Sequence, residues 1–377
     1  MTRTIKGIKW CCLLFFFLVL FDLLVAFCFP PKHYCVWPPH LRKVFRPDPD
    51  VLVGIEGPAR FQTNALGIRG DEFSNDQKYR ILTVGGSTTE CFYLDQAKTW
   101  PALLEADLNR LNQNRVWVGN VGRSGLSSRH HILALKYLLP QYPKIDLVVL
   151  LVGANDFLMS ACDPNYDPFF QNKRGAVQKL CEAEFSVNPQ SRFYKRTVTW
   201  QILRWVNLLL SRYHDFQDSR GKNLENWGEE REHATRVVQQ APDLSAALNE
   251  YARNLNTLID LARQSSVRVI FLTQPSLWKA NPSKEERRLL WMGKIAKHGE
   301  SSRVYYSEEA LDHGLRQFNQ TLLEVCKRRQ VDCIDLAGLL PKSTSIFYDD
   351  MHFNENGATQ VEKIILRYLR NERQPSG

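Results

Sequence analysis

Residues 146–153 read DLVVLLVG, and every side chain between the aspartate and the glycine is apolar. A strand with one face in water alternates apolar and polar side chains, because successive side chains point to opposite faces of the sheet. A continuously apolar strand is instead typical of a parallel sheet that helices cover on both faces. This stretch therefore predicts an α/β protein with a buried parallel sheet.

Other short apolar or β-branched runs lie on both sides of this strand. They occupy residues 81–84, 116–118, 267–273 and 331–336. Helical patterns alternate with the strands, at residues 100–111, 127–138, 243–264, 307–328 and 357–370. Five strands that alternate with helices predict one three-layer α/β domain.

A serine follows the first strand of the predicted sheet. Residues 85–89 read GGSTT, and two glycines permit a tight turn that holds the Ser87 hydroxyl clear of the sheet. The backbone N–H groups that follow would face an anion, as at a helix N-terminus. The G-x-S-x-G elbow of the α/β-hydrolases is not matched, because Thr89 stands at the place of the second glycine. Ser87 is a candidate nucleophile, and an ordinary turn is the alternative.

Glycine and amide groups follow the next two strands. Residues 120–125 read NVGRSG, and their glycines allow a backbone N–H group to point into a cleft. Residues 153–156 read GAND and close the most apolar strand. The Asn155 amide can donate a hydrogen bond to an oxyanion without titrating, which suits stabilisation of a transition state. Taken singly, each pattern also fits an ordinary turn.

A carboxylate and an imidazole lie just before the last helix, where residues 349–352 read DDMH. Asp349 can accept a hydrogen bond from Nδ1 of His352 and so fix its tautomer, which leaves Nε2 free to take a serine proton. Metal binding is the alternative, yet no H-E-x-x-H or Cys-x-x-Cys pattern accompanies the pair. Adjacent His130 and His131 lie about 100° apart on a helix, so they cannot chelate together and we expect them at the surface.

The order of these four patterns resembles the SGNH (GDSL-type) hydrolase family over roughly residues 60–370. The family has serine after the first strand, glycine after the second, asparagine after the third and Asp-x-x-His near the C-terminus. The stretches TNALGIRG at 63–70, GGSTT at 85–89 and TWPALLE at 99–105 resemble a membrane-attached bacterial branch of it. The resemblance implies a flavodoxin-like three-layer α/β/α sandwich with a five-stranded parallel sheet.

The resemblance also implies a role for each candidate residue. Ser87 would be the nucleophile, His352 the general base and Asp349 the residue that orients it. The oxyanion hole would comprise the backbone N–H groups of Ser87 and Gly125 and the side-chain amide of Asn155. No metal or organic cofactor is implied.

Two glycines bear on how closely the chain matches the family pattern. Gly125 is preferred to Gly122 as an oxyanion donor because the family's glycine ends an N-x-x-x-x-G run. At Gly86 the chain departs from the family, whose name-giving Gly-Asp-Ser has an aspartate there. That departure removes a turn-stabilising carboxylate but no catalytic group. An insertion at about 157–242 is absent from minimal members, and we expect it to shape the substrate cleft.

The implied function is that of a serine esterase or acylhydrolase acting on a carboxylic ester. The favoured substrate is an O-acyl group on an envelope or extracellular glycan, with a lipid ester as the other possibility. One alternative is an O-acyltransferase on a cell-envelope polysaccharide, in which a sugar hydroxyl replaces water in the second step. Another is a non-catalytic envelope scaffold or binding protein.

The N-terminal residues include an apolar stretch suited to the interior of a membrane. Residues 10–29 contain one charged side chain, Asp22, and twenty residues at about 1.5 Å each span a hydrocarbon core of about 30 Å. Arg3, Lys6 and Lys9 precede this stretch and favour a cytoplasmic N-terminus. We expect residues 1–30 to be an uncleaved signal anchor of the inner membrane, with the catalytic domain in the periplasm; a cleaved signal peptide and a buried core helix are the rivals.

Asp22 is costly inside a membrane, so it is either protonated or paired with another chain. Residues 30–58 hold seven of the eighteen prolines, which predicts that 31–60 form an extended tether before a catalytic domain at 61–372. Within the insertion, 192–214 is an aromatic and basic helical pattern. It either lies on a membrane surface or packs on the domain as a core or lid helix.

The amino-acid composition excludes several classes of protein. The 377 residues are 44% hydrophobic and 24% charged, unlike a disordered, collagen-like or coiled-coil protein. The net charge of +9 is spread without a dense Lys/Arg stripe, so no nucleic-acid partner is indicated.

Six of nine cysteines lie outside the apolar stretch. The preferred disulfides are Cys326–Cys333 and Cys162–Cys181, and free thiols are the alternative.

Overall fold

The computed structural model describes residues 2–29, 33–111, 115–142, 144–183, 192–200, 202–203, 220–295 and 303–371. The strands are β1 (Arg42–Phe45), β2 (Ala59–Gln62), β3 (Tyr79–Gly85), β4 (Val116–Asn120), β5 (Leu147–Leu151), β6 (Arg236–Val238), β7 (Arg268–Leu272), β8 (Val304–Tyr306) and β9 (Asp332–Ile334). The α-helices are α1 (Thr2–Cys28), α2 (Ser87–Glu90), α3 (Trp100–Leu111), α4 (Ser128–Gln141), α5 (Ala154–Cys162), α6 (Ala176–Ala183), α7 (Lys222–Glu232), α8 (Ser245–Gln264), α9 (Lys284–Arg287), α10 (Glu308–Arg329), α11 (Leu336–Leu339) and α12 (Glu355–Asn371).

Five strands form the central sheet in the order β4-β3-β5-β7-β9, and each neighbouring pair is parallel. The five residues of the middle strand β5 are at most 1% exposed, which is why its apolar run is unbroken. Helices α4, α5, α8 and α10 pack on one another, and α3 packs on α12, so that two helical layers enclose the sheet. The predicted three-layer fold with a five-stranded parallel sheet is confirmed.

The strand order identifies the edge of the sheet at which a crevice opens. β3 pairs with β4 on one side and with β5 on the other, so the chain reverses its direction of progress across the sheet at β3. Such a switch point opens a crevice at the carboxyl ends of the strands on either side of it. The residues that follow β3, β4 and β5 therefore meet at one crevice.

Helix α1 carries the apolar N-terminal stretch. Ile8–Cys28 within it is long and apolar enough to cross a membrane, by length and composition. Most of its large side chains are exposed, Phe15 and Phe21 at 65% each, whereas a core helix of a soluble protein would bury them.

The segment after the anchor differs from the predicted tether. Strands β1 and β2 pair antiparallel, and Tyr34, Trp37 and Phe45 are at most 9% exposed. The Trp37 indole donates a hydrogen bond to the Gly122 carbonyl at 3.1 Å. Proline does fix φ here, but burying an aromatic side chain is worth about 1.5–3 kcal/mol, so the rings between the prolines hold the segment on the domain.

The insertion adds structure that the sequence patterns did not predict. Strand β6 pairs in parallel with β8 to form a second, two-stranded sheet, and α7 precedes it. Of the helical pattern at 192–214, residues 201 and 204–214 lie outside the described residues. The described part begins with a 3-10 turn, Phe193–Arg196, and its exposed side chains include Ile202 at 54% and Leu203 at 59%.

Two further sequence expectations have mixed outcomes. A disulfide joins Cys326 and Cys333, whereas Cys162 carries a free thiol and the Cys181 side chain lies outside the description. The expectation that the paired histidines of α4 are surface residues is wrong, since His130 is 7% and His131 2% exposed. Burial lowers the pKa of His130 to about 4 and that of His131 to about 3, so both are neutral core residues.

Candidate active site

The turn between β3 and α2 presents Ser87. A Cβ on Gly85 would lie 2.6 Å from the Leu151 carbonyl oxygen, so only glycine lets the end of β3 approach β5 this closely. A Cβ on Gly86 would lie 2.5 Å from Nδ2 of Asn155. A side chain at either position would force a neighbour to move, and the turn leaves Ser87 at the first position of α2, at the crevice.

His352 and Asp349 reach Ser87 from the loop before α12. The Oγ of Ser87 lies 2.6 Å from Nε2 of His352, and Nδ1 of the same ring lies 2.6 Å from Oδ2 of Asp349. The other carboxylate oxygen accepts hydrogen bonds from the backbone N–H groups of His352 at 2.8 Å and Met351 at 3.0 Å. The Tyr348 ring stacks on the imidazole with centroids 5.6 Å apart. The loop thus holds the imidazole in one orientation between the hydroxyl and the carboxylate.

The pKa values of His352 and Asp349 shift in opposite directions. Burial by itself disfavours the imidazolium, but the negative charge of Asp349 and its hydrogen bond outweigh burial and raise the pKa of His352. Burial likewise opposes ionisation of Asp349, yet the charge of His352 and the hydrogen bonds from residues 351 and 352 hold its pKa below the usual range. The carboxylate is charged at neutral pH and stabilises an imidazolium that forms beside it.

The candidate oxyanion donors lie next to the serine turn. Nδ2 of Asn155 donates to the Leu126 carbonyl at 2.8 Å, and its close approach to Gly86 places the amide between the serine turn and the loop after β4. Gly125 precedes Leu126 in this loop, has φ +77° and is exposed. The N–H of Gly122, by contrast, already donates to the Asn120 side chain at 2.8 Å. The N–H of Gly122 is thus already bonded, and the choice of Gly125 as a donor stays a prediction.

Two residues that support Asp349 were not found from sequence. The Trp291 indole donates to Oδ2 of Asp349 at 3.1 Å. Asp350 is fully buried and accepts from the Trp278 indole at 2.6 Å and from the backbone N–H of Trp291 at 2.8 Å. Burial and the charge of Asp349 raise the pKa of Asp350 to about 6. Asp350 links the segment at Trp291 to the loop that carries Asp349 and His352. Its place beside Asp349 in the sequence is the signal by which it could have been found.

A second buried carboxylate ties the loop after β4 to α2. Glu90 is 1% exposed and accepts from the backbone N–H of Ser124 at 2.6 Å and from its hydroxyl. Burial raises the pKa of Glu90 in spite of these bonds. The Arg69 guanidinium, 1% exposed, donates to the carbonyls of Glu90 and Cys91 and so ties the end of α2. Arg69 lies in the quoted TNALGIRG stretch, but its function was not readable from that pattern.

A cleft of about 1370 Å³ opens on the side of Asp349. Its walls come from α7 in the insertion, from the segment around α9 and from the start of α10, and they include Tyr348 and Asp349 themselves. Charged side chains of both signs line it, among them Glu229, Arg287 and Arg288. The insertion thus contributes one wall of this cleft, and its role in shaping the substrate cleft stays a prediction.

The site offers no evident metal ligands in the part of the chain that the structure describes, where no group of three or more His, Cys, Asp or Glu side chains could hold an ion. The sequence-predicted residues are instead arranged in two sets. Ser87, His352 and Asp349 form a continuous hydrogen-bonded chain. Asn155 lies against Gly86 of the serine turn, and its amide donates to the carbonyl of Leu126, the residue after Gly125.

Comparison with known proteins identifies a matching family and similar solved structures. A family model described as GDSL-like lipase/acylhydrolase matches residues 83–360. No curated protein sequence matches the chain. Similar solved structures include a lipase/acylhydrolase from Enterococcus faecalis (16% identity, 78% of this chain, 96% of that chain, TM-score 0.41). An acetyl xylan esterase from Geobacillus stearothermophilus (12%, 77%, 94%, 0.42) and an alpha/beta hydrolase from the metagenome of Lake Arreo, Spain (13%, 77%, 94%, 0.42) are others.

Proposed function

The chain belongs to the GDSL-like lipase/acylhydrolase family and is a serine ester hydrolase, and from this premise we propose that Ser87, His352 and Asp349 are its catalytic triad. One observation carries the proposal: the two 2.6 Å contacts that link the hydroxyl, the imidazole and the carboxylate. These residues come from separate parts of the sequence, and the arrangement of nucleophile, base and orienting group is the one that activates a serine.

In the proposed reaction, Oγ of Ser87 attacks the ester carbonyl carbon while Nε2 of His352 takes the hydroxyl proton. The tetrahedral intermediate collapses, and the imidazolium gives that proton to the departing alcohol oxygen, leaving an acyl-enzyme. Water then attacks the acyl carbon and loses a proton to the same nitrogen. The carboxylic acid leaves, and the proton returns to Ser87.

The negative charge on the tetrahedral oxygen would be held by the N–H groups of Ser87 and Gly125 and by the amide of Asn155. Each such donor is worth about 2.7–4 kcal/mol in a transition state. One amide hydrogen of Asn155 is used by the Leu126 carbonyl, and this bond orients the second hydrogen for the oxyanion.

For the substrate, we propose an O-acyl group on an envelope or extracellular glycan. The charged side chains in the cleft beside Asp349, among them Glu229 and Arg288, support a substrate that carries polar groups. Exposed apolar side chains along α1 support a membrane anchor at residues 10–29. Arg3, Lys6 and Lys9 before it support a periplasmic catalytic domain.

The nucleophile is tested with the full chain purified in detergent. Ser87→Ala is expected to abolish release of nitrophenol from p-nitrophenyl acetate without loss of the fold, while Ser245→Ala, at an exposed serine of α8, keeps full activity. Retained hydrolysis by Ser87→Ala would refute the assignment. Incubation with an acetylated glycan then reports the substrate class: free acetate indicates hydrolysis, and a newly acetylated sugar acceptor indicates transfer.

The side of the membrane on which the catalytic domain lies is tested separately. Alkaline phosphatase fused after the last residue is expected to be active in bacterial cells, since that reporter folds only outside the cytoplasm. An inactive but stably expressed fusion would place the domain in the cytoplasm and overturn the proposed orientation.

A further inference from the structure

The one charged residue of the apolar helix has partners within the chain. The carboxylate of Asp22 accepts hydrogen bonds from the backbone N–H groups of Val198 at 2.9 Å and Thr199 at 2.7 Å. Residues 198–200 begin a helical stretch, and the first N–H groups of a helix lack partners within it. Asp22 therefore caps backbone groups of the insertion, 176 residues away in sequence.

The contact extends along one stripe of α1. Val19, Asp22 and Leu23 are half-buried and Ala26 is 5% exposed, whereas most of the other side chains of the helix are exposed. Positions separated by three, four and seven residues lie on the same face of a helix. The 3-10 turn Phe193–Arg196 contacts α1, so the insertion covers this stripe.

The depth of this contact follows from the helix geometry. Asp22 precedes Cys28, the end of the apolar span, by six residues, which is about 9 Å along the axis. That position lies inside a hydrocarbon core of about 30 Å. The N–H groups that Asp22 binds must lie at the same depth.

Each partner removes a cost that the other would have alone. A backbone N–H without a hydrogen bond costs several kcal/mol in hydrocarbon, and a carboxylate without partners there is also strongly disfavoured. Bonding between Asp22 and the start of the helical stretch satisfies both groups. The charge in the anchor thus has a physical reason that does not require a second chain.

We propose that residues 193–200 and 202–203 enter the outer leaflet beside the anchor and bind lipid acyl chains through their exposed apolar side chains. Val198, Ile202 and Leu203 are 59%, 54% and 59% exposed. Phe193 and Trp200, at 46% and 40%, are aromatic residues of the kind that lie near the membrane interface. This inference rests on the proposed anchor. It holds the catalytic domain to the bilayer at two points and so keeps its crevice close to the membrane surface.

The test uses the full chain in nanodiscs of phosphatidylethanolamine and phosphatidylglycerol, where reagents reach both faces of the bilayer. Two matched pairs of single substitutions report water access. Val198→Cys is compared with Val237→Cys, and Leu203→Cys with Leu339→Cys, since the second residue of each pair is also exposed, at 47% and 60%. The rate of reaction with a charged maleimide is measured above that of the parent chain.

We expect Val198→Cys and Leu203→Cys to react at least about tenfold more slowly than their partners, because a charged reagent is excluded from hydrocarbon. Adding Asp22→Ala is expected to raise the rate at both sites towards that of the control, since the uncapped N–H groups favour water. Equal rates within each pair in the intact chain would overturn the proposal. Protection that persists with Asp22→Ala would overturn the capping role of Asp22.

Failure of the anchor is recognised independently. A chain that does not co-elute with the nanodisc scaffold lacks a membrane span, and the proposed location fails with it. A chain that co-elutes but shows equal rates within each pair keeps its anchor and refutes only the entry of residues 193–200 and 202–203.

Discussion

Replacing Gly86 by alanine tests whether the serine turn and the Asn155 amide fit each other as the structure indicates. The added Cβ would lie 2.5 Å from Nδ2 of Asn155, whereas an ordinary contact begins at 3.4 Å, so the amide must retreat by about 0.9 Å (3.4 less 2.5). The φ of Gly86 is −85°, which alanine adopts without strain. The next contacts of the added atom, at 3.5 and 3.7 Å, are ordinary. The collision is therefore confined to the Asn155 amide.

The size of the effect follows from the role of the amide. Loss of one oxyanion donor costs about 2.7–4 kcal/mol, and a misplacement of about 1 Å can cost 10²-fold in rate. We expect Gly86→Ala to lower kcat on p-nitrophenyl acetate by about 10²-fold with little change in KM. Asn155→Ala alone is expected to lower kcat by about 10²–10³-fold.

The double variant gives the decisive measurement. Asn155→Ala removes the atom with which the new Cβ collides, so Gly86→Ala with Asn155→Ala should be no slower than Asn155→Ala alone. Gly228→Ala is the matched control, because its Cβ would make only ordinary contacts at 3.7 Å and beyond. Wild-type kcat for Gly86→Ala, or losses that multiply in the double variant, would refute the reasoning.

Three other predictions concern the triad. The kcat/KM for p-nitrophenyl acetate should fall as pH is lowered, with a midpoint above the ordinary histidine pKa of about 6.5, because His352 must be neutral to act as a base and its pKa is raised; a midpoint below that value would contradict it. Asp349→Asn removes the charge that raises this pKa, so kcat should fall by about 10⁴-fold and the acid limb should move to lower pH. An acid limb that stays in place would show that Asp349 does not set the pKa. Trp291→Phe deletes one hydrogen bond to the Asp349 carboxylate and should lower kcat by about tenfold, while Trp227→Phe, whose ring contacts Trp291 without bonding the triad, should leave it unchanged; equal effects of the two would mean that ring packing alone matters.

The sheet and most of its helices could be predicted because they depend on local periodicity. The apolar run at 146–153 has to be buried on both faces wherever the chain places it, and the five predicted strands correspond to β3, β4, β5, β7 and β9. A related reason allowed Ser87, Asn155 and His352 to be predicted as candidate site residues. In a parallel sheet the residues that follow the strands emerge at one edge, so their order along the chain implies that they are close together.

The supporting groups could not be predicted, because each depends on a contact between distant parts of the sequence. Trp291 is an apolar residue in an irregular stretch, and only the packing of its loop brings the indole to Asp349. The prolines around Trp37 indicate an extended chain, and its burial depends on a surface that exists only once the domain has folded.

Asp22 shows the same division between local pattern and long-range contact. Hydropathy identifies an apolar helix with one charge in it, and it states the energetic cost of that charge. It cannot identify what satisfies the charge, since the N–H groups of Val198 and Thr199 become available only when the insertion folds back against the helix. Periodicity is a property of neighbouring residues and can be read along a chain, whereas hydrogen bonds across 176 residues exist only in the folded structure.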